Sequence, residues 1–99
     1  MRKYIAEFIG TFFLVLTVGC TVIPAAEGVI PALAIGAVLM VMIFAGGHIS
    51  GGHFNPAVAI GAAVMKLVNF RDIWIHIVAE LAGGFLAGVT FKFLNPTDI

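Results

Sequence analysis

The chain has 99 residues, with five Lys or Arg balanced by five Asp or Glu and a single cysteine, Cys20. With 62% hydrophobic and 10% charged residues and a mean hydropathy of +1.16, it is too apolar for an ordinary soluble domain of this size. Zero formal net charge points to neither nucleic acid nor an acidic substrate, and one cysteine excludes an intrachain disulfide.

Arg2 and Lys3 precede the first apolar run, Ile5 to Ile23, which at about 19 residues is long enough to span a bilayer. A spanning helix is expected over about 4–23. Thr17-Val18-Gly19-Cys20 resembles a lipoprotein cleavage site, but signal-peptide cores run to about 7 to 15 apolar residues. This run is longer and contains Glu7. A carboxylate there is costly unless it faces protein and finds donors; the alternative is an interfacial Glu whose carboxylate reaches water. Pro24, Glu27, Gly28 and Pro31 mark a short turn outside the membrane. A second spanning helix is expected over about 29–46, with Ala32 and Gly36 spaced for close helix contact and Met40 and Met42 as packing residues.

Next comes Gly46-Gly47-His48-Ile49-Ser50-Gly51-Gly52-His53-Phe54-Asn55-Pro56-Ala57-Val58. Its four glycines permit turns closed to other residues, and Asn55 before Pro56 reads as an N-cap followed by proline at the first helical position. The apolar stretch from Ala57 to Met65 makes a helix of about 15 Å at roughly 1.5 Å per residue, half of the roughly 30 Å hydrocarbon core. An irregular glycine loop leading to half a span is tolerated in lipid only where it lines a cavity or is buried in protein. A re-entrant loop and half-helix are therefore expected over about 47–67. The partial positive charge at the Asn55 end would disfavour cations near mid-membrane, and the carbonyls of Gly51, Gly52 and His53 would accept hydrogen bonds from a solute.

Lys66, Asn69, Arg71 and Asp72 form a polar connector to a third spanning helix, expected over about 72–94, with His76 and Glu80 inside it. His76 is read as an interfacial or packed histidine. Gly84 and Gly88 form a small-xxx-small pair. Ala79-Glu80-Leu81-Ala82-Gly83-Gly84-Phe85 echoes Ala6-Glu7-Phe8-Ile9-Gly10-Thr11-Phe12, so the first and third spans are expected to share a packing role. Glu80 is read either as a second loop brace or as a solvated residue near a lumen. Asn95-Pro96-Thr97 is read as a turn. With this topology Arg2, Lys3, Lys66 and Arg71 fall on one side and Lys92 on the other, which places the N-terminus in the cytoplasm. The fold class expected is an all-α membrane protein of three transmembrane helices and one re-entrant half-helix.

The run from His48 to Val58 resembles the first Asn-Pro-Ala loop of the aquaporins, the major intrinsic proteins, and Ala6-Glu7-Phe8-Ile9-Gly10-Thr11 resembles the start of their first helix. The resemblance covers nearly the whole chain but only the first half of an aquaporin. It implies passive conduction of water or small neutral solutes such as glycerol, with Asn55, Ala57, Val58, Gly51, Gly52, His53 and Ile35 facing the solute. Glu7, the counterpart of a family Glu that binds loop N–H groups, is implied as a loop brace; His48 and Pro56 are read as bracing the loop as well, and so is Glu80 on one of its two readings. Ile35 stands where water-selective relatives usually carry Phe, Glu80 where relatives more often carry Gln. The Arg that follows the family's second motif has no counterpart, since Val58 follows Ala57. These departures imply a wider, more apolar filter.

The implied partners are the lipid bilayer of a cell (plasma) membrane and a second inverted half, supplied by a homo-oligomer or a complementary half-channel. Two other readings stay open: a non-conducting structural or regulatory half-channel or fragment, and half of an inverted-repeat secondary transporter. No cofactor and no metal are expected, because no carboxylate or cysteine lies near His48 and His53 in the sequence. Ser50 has no evident base in register, so catalysis is not expected either.

Overall fold

The computed structural model describes residues 1–22 and 29–95. It is built from α1 (Arg2–Val22), α2 (Ile30–Ser50), the short α3 (Pro56–Val64) and α4 (Phe70–Leu94). The expected turn residues Pro24, Glu27 and Gly28, and Pro96-Thr97, lie outside the described residues. α1, α2 and α4 are each long and apolar enough to cross a membrane, and most of their large apolar side chains face outward. That inversion of a soluble fold is what a lipid solvent selects. Two hydroxyls on these helices are satisfied by the preceding turn: Thr21 Oγ1 donates to the Thr17 carbonyl at 2.7 Å and Thr90 Oγ1 to that of Leu86 at 2.8 Å.

α2 packs antiparallel to α1, with Gly46 facing Ala6, while α4 runs parallel to α1. The Lys3–Asp72 ion pair, at 3.7 Å, joins the starts of α1 and α4. Farther along, Gly83 lies against the backbone of Phe8 and Phe12, and Gly19 against the ring of Phe91. A Cβ at position 83 would run into the Phe8 carbonyl, so the two helices cross backbone to backbone there. This corrects the expected contact pair. Gly84 makes ordinary van der Waals approaches to Val15 and Thr11, but Gly88 is exposed with nothing near it, and the buried stripe of α4 runs through His76, Glu80, Gly83, Ala87 and Phe91. Gly36 likewise faces open space and Ala32 is exposed, so that pair makes no close contact within the described chain.

α2 continues beyond its expected end near residue 46, carrying Gly47, His48 and Ile49 in helix up to Ser50. It is stopped by Gly51 and Gly52, both left-handed with φ of 94° and 71°, a conformation that Cβ-bearing residues rarely adopt. α3 starts at Pro56 behind Asn55 and ends in a Schellman turn: the Leu67 N–H bonds to the Ala62 carbonyl at 2.9 Å and the Lys66 N–H to that of Ala63 at 3.0 Å, with Lys66 left-handed. Its Ala59, Ala62 and Ala63 are buried, and α3 packs against α4 through small side chains.

We expect Gly83→Val to destabilise the protein by at least about 1–3 kcal/mol, because a carbonyl cannot move aside as a side chain can. Gly88→Ala is expected to leave stability unchanged. Thermal unfolding of both variants in detergent compares the two positions directly; equal losses would show that the crossing does not depend on Gly83.

Candidate functional site

The turn between α2 and α3 is held by one carboxylate. The Phe54 N–H donates to Glu7 Oε1 at 2.9 Å, and the Ser50 hydroxyl donates to Glu7 Oε2 at 2.5 Å. Ser50 Oγ in turn accepts from the Gly52 N–H at 3.2 Å. Glu7 thus ties α1 to the end of α2 and to the residue before Asn55, across 43 and 47 positions of sequence. Phe54 itself is left-handed, φ 55°, although it is not glycine. Two things hold that strained backbone: the Glu7 bond to its N–H, and the burial of its ring on Gly10, where any Cβ would overlap the ring. Gly10 lies about 12 Å into α1 at roughly 1.5 Å per residue, so the turn reaches the middle third of that helix.

Asn55 caps α3. Its backbone is extended, and Oδ1 accepts from the Ala57 N–H at 2.8 Å. Because the cap needs an acceptor, the amide flip is decided, and the Asn55 NH₂ is left as a donor on an exposed side chain. Ala57 and Val58, on the first turn of α3, are exposed as well, and Pro56 and Gly52 are half-buried. Asn55 and Pro56 line a cleft of about 450 Å³ with Thr11, Val15 and Glu80. Ile35 is half-buried on α2, separated from Ser50 by about 22 Å of helix at roughly 1.5 Å per residue.

Other placements differ from the sequence reading. His48 sits exposed in the last turn of α2 and makes no hydrogen bond among the described residues, because the helix runs on past it. The bracing expected of it is made by Ser50, whose hydroxyl the sequence reading weighed only as a nucleophile. A carboxylate does reach Ser50, but Ser50 is buried and its hydroxyl is engaged with Glu7 and Gly52, an arrangement that holds a turn. Glu80 is fully buried and therefore not solvated, and it makes no hydrogen bond to the loop backbone. His76 is buried, with the Tyr4 ring edge-on at 5.3 Å and the His53 ring at 5.4 Å. No carboxylate lies near His53 in the sequence, but the fold brings two there: Glu7, His53, His76 and Glu80 bring one ligating atom each within 4.8 Å of one another. α1 and α4 supply these carboxylates from distant sequence, so spacing along the chain carried no signal of them.

Three apolar spans around a short capped helix define an all-α membrane protein. The chain belongs to the major intrinsic protein family, whose model matches residues 1–98. It is 41% identical over 93 residues to a glycerol uptake facilitator protein-like 6 of Lactiplantibacillus plantarum, covering 93% of this chain and 43% of that protein. It is 39% identical over 100 residues to a putative aquaporin NIP4-1 of Arabidopsis thaliana, covering 94% of this chain and 35% of the relative. It is also 39% identical over 101 residues to nodulin-26 of Glycine max, covering 95% and 37%. The chain thus spans about two fifths or less of the length of these relatives.

Ser50→Ala is expected to cost about 1–3 kcal/mol, since it leaves the Gly52 N–H and one Glu7 oxygen short of a partner. It should also raise hydrogen exchange at the Gly52 and Phe54 amides relative to those in the middle of α1. Unchanged exchange at both amides would show that the hydroxyl does not hold the turn.

Proposed function

We propose that the chain is one half of a channel that passively conducts water and small neutral solutes, glycerol included, with residues 51–64 as its re-entrant loop and half-helix. The observation that carries this reading is the capped Asn55. Its oxygen is engaged by Ala57, its NH₂ is a free and oriented donor, and it stands at the positive end of α3 level with the middle third of α1. Such a donor can hydrogen-bond a passing hydroxyl or water, while the helix end opposes cations. Backbone carbonyls of Gly51, Gly52 and His53 would supply acceptors before it. Val58 and Ile35 would give the constriction an apolar lining wide enough for a small polyol. Glu7 and Ser50 keep the loop in register, and Pro56 sets the helix start. Membership of the major intrinsic protein family and the names of the relatives, a glycerol uptake facilitator protein-like 6 and a putative aquaporin, support transport of this kind.

A pore needs two half-helices whose N-termini meet at mid-membrane. We infer that the second is supplied by an inverted partner, either another copy of the chain or a complementary half, and that the unit lies in the plasma membrane with its N-terminus in the cytoplasm. The clustering of Arg2, Lys3 and Arg71 at one end of the parallel pair α1 and α4, with Lys92 at the other, supports that orientation.

Reconstitution of the chain alone in liposomes, followed by stopped-flow light scattering under an osmotic gradient, tests the reading. Fast shrinkage with low activation energy, reduced at least about tenfold in Asn55→Asp, is expected if copies pair into a pore. Shrinkage no faster than that of empty vesicles would reject self-pairing and require a different second half. Water flux with glycerol excluded would reject the wide filter, and flux that depends on an ion gradient would reject a passive channel altogether.

A further inference from the structure

We propose that Glu7, His53, His76 and Glu80 form a buried binding site for a divalent transition metal of the zinc class, joining α1, the loop before Asn55 and α4. The four side chains come from three separate segments, yet one oxygen of each carboxylate and one nitrogen of each imidazole lie within 4.8 Å of one another. All four residues are at least nine-tenths buried, at 0%, 9%, 2% and 1% exposure respectively. Much of their polar capacity is unmet: Nδ1 of His53, Nδ1 of His76 and both oxygens of Glu80 have no hydrogen-bond partner among the described residues. Buried acceptors of this kind are costly unless something binds them. No Lys or Arg lies among the four to balance two carboxylates.

A divalent cation meets every one of these demands. Two carboxylates neutralise its charge, and two neutral imidazoles complete an N₂O₂ set that suits zinc and its first-row neighbours better than calcium or magnesium, which prefer oxygen ligands. Tetrahedral ligands at about 2.1 Å from zinc stand about 3.4 Å apart, so with every pair already within 4.8 Å no pair need close by more than about 1.4 Å. Glu80, held by no hydrogen bond among the described residues, can make that movement. Glu7 is already oriented by the Phe54 N–H and the Ser50 hydroxyl, as metal-binding carboxylates are by their outer shell. Access is provided by a polar cleft of about 380 Å³ lined by His53 and His76, with Lys3 and Asp72 also on its wall. Since His53 is two residues from Asn55, metal binding would lock the loop to both helices. The site stands on these side chains alone and does not depend on the transport reading.

The full chain, purified without a histidine tag, tests the site through its metal content, its thermal unfolding, and the visible absorption of added Co²⁺. About one zinc per chain, a melting temperature lowered by chelator and restored by Zn²⁺, and the absorption of Co²⁺ in a four-coordinate nitrogen–oxygen site are expected. Glu80→Gln and His76→Gln should each weaken metal binding at least about tenfold, while His48→Ala should leave it unchanged. Wild-type protein that retains no zinc, is indifferent to chelator and gives no Co²⁺ absorption would overturn the site and leave a proton shared by the two carboxylates. Binding lost in His48→Ala but kept in His76→Gln would overturn it too, by moving the metal elsewhere.

Discussion

The carboxylate of Glu7 is the point on which the arrangement around Asn55 depends. Between the end of α2 at Ser50 and the start of α3 at Pro56 the backbone cannot satisfy its own N–H groups through a helix. In an apolar solvent no water takes their place. Glu7 accepts from the Phe54 N–H with one oxygen and from Ser50 with the other, so one side chain anchors both ends of the turn. The left-handed Phe54 is tolerable only because that bond and the bare surface of Gly10 hold it. Asn55 inherits its position from this assembly, since it follows Phe54 directly and its cap fixes the first turn of α3.

A second constraint acts through the crossing of α1 and α4. Gly83 lets the two backbones touch, and the parallel packing that follows brings His76 and Glu80 to the level of Glu7 and His53. The outcome is a polar core inside an otherwise apolar bundle: among the described residues, Glu7, Thr11, Ser50, His53, His76 and Glu80 are all buried. Polar groups are expensive at that depth and are retained where they hold backbone or bind something. Glu7 and Ser50 hold backbone. The unmet atoms of His53, His76 and Glu80 are the ones that call for a ligand.

The polar core and the exposed Asn55 divide the labour of the loop. On its inner side the loop is fastened to α1 and faces α4; on its outer side it offers the Asn55 amide and the apolar Val58. Rigidity on one side is what allows a donor fixed in position on the other. Small residues Ala59, Ala62 and Ala63 extend the same logic along α3, seating it against α4 without side chains that could rotate.

Sequence by itself determined the features set by local chemistry. Runs of apolar residues long enough to span made α1, α2 and α4 readable, and Asn55-Pro56 marked the start of α3, because length and capping act within one segment. The eleven residues from His48 to Val58 were enough to raise the family resemblance. Tertiary structure decided the rest. Gly47 and His48 read as loop, yet α2 carries both in helix, since a helix packed at Gly46 against Ala6 of α1 tolerates residues that an isolated one disfavours. Whether Gly83 or Gly88 faced α1 depended on the rotation of α4, which its nearly uniform apolar surface does not encode. The meeting of Glu7 and Glu80 with His53 and His76 depended on the relative height of two helices that are far apart in the chain, Arg2–Val22 and Phe70–Leu94. Contacts of that kind arise from packing of whole elements, and spacing along the chain holds no record of them.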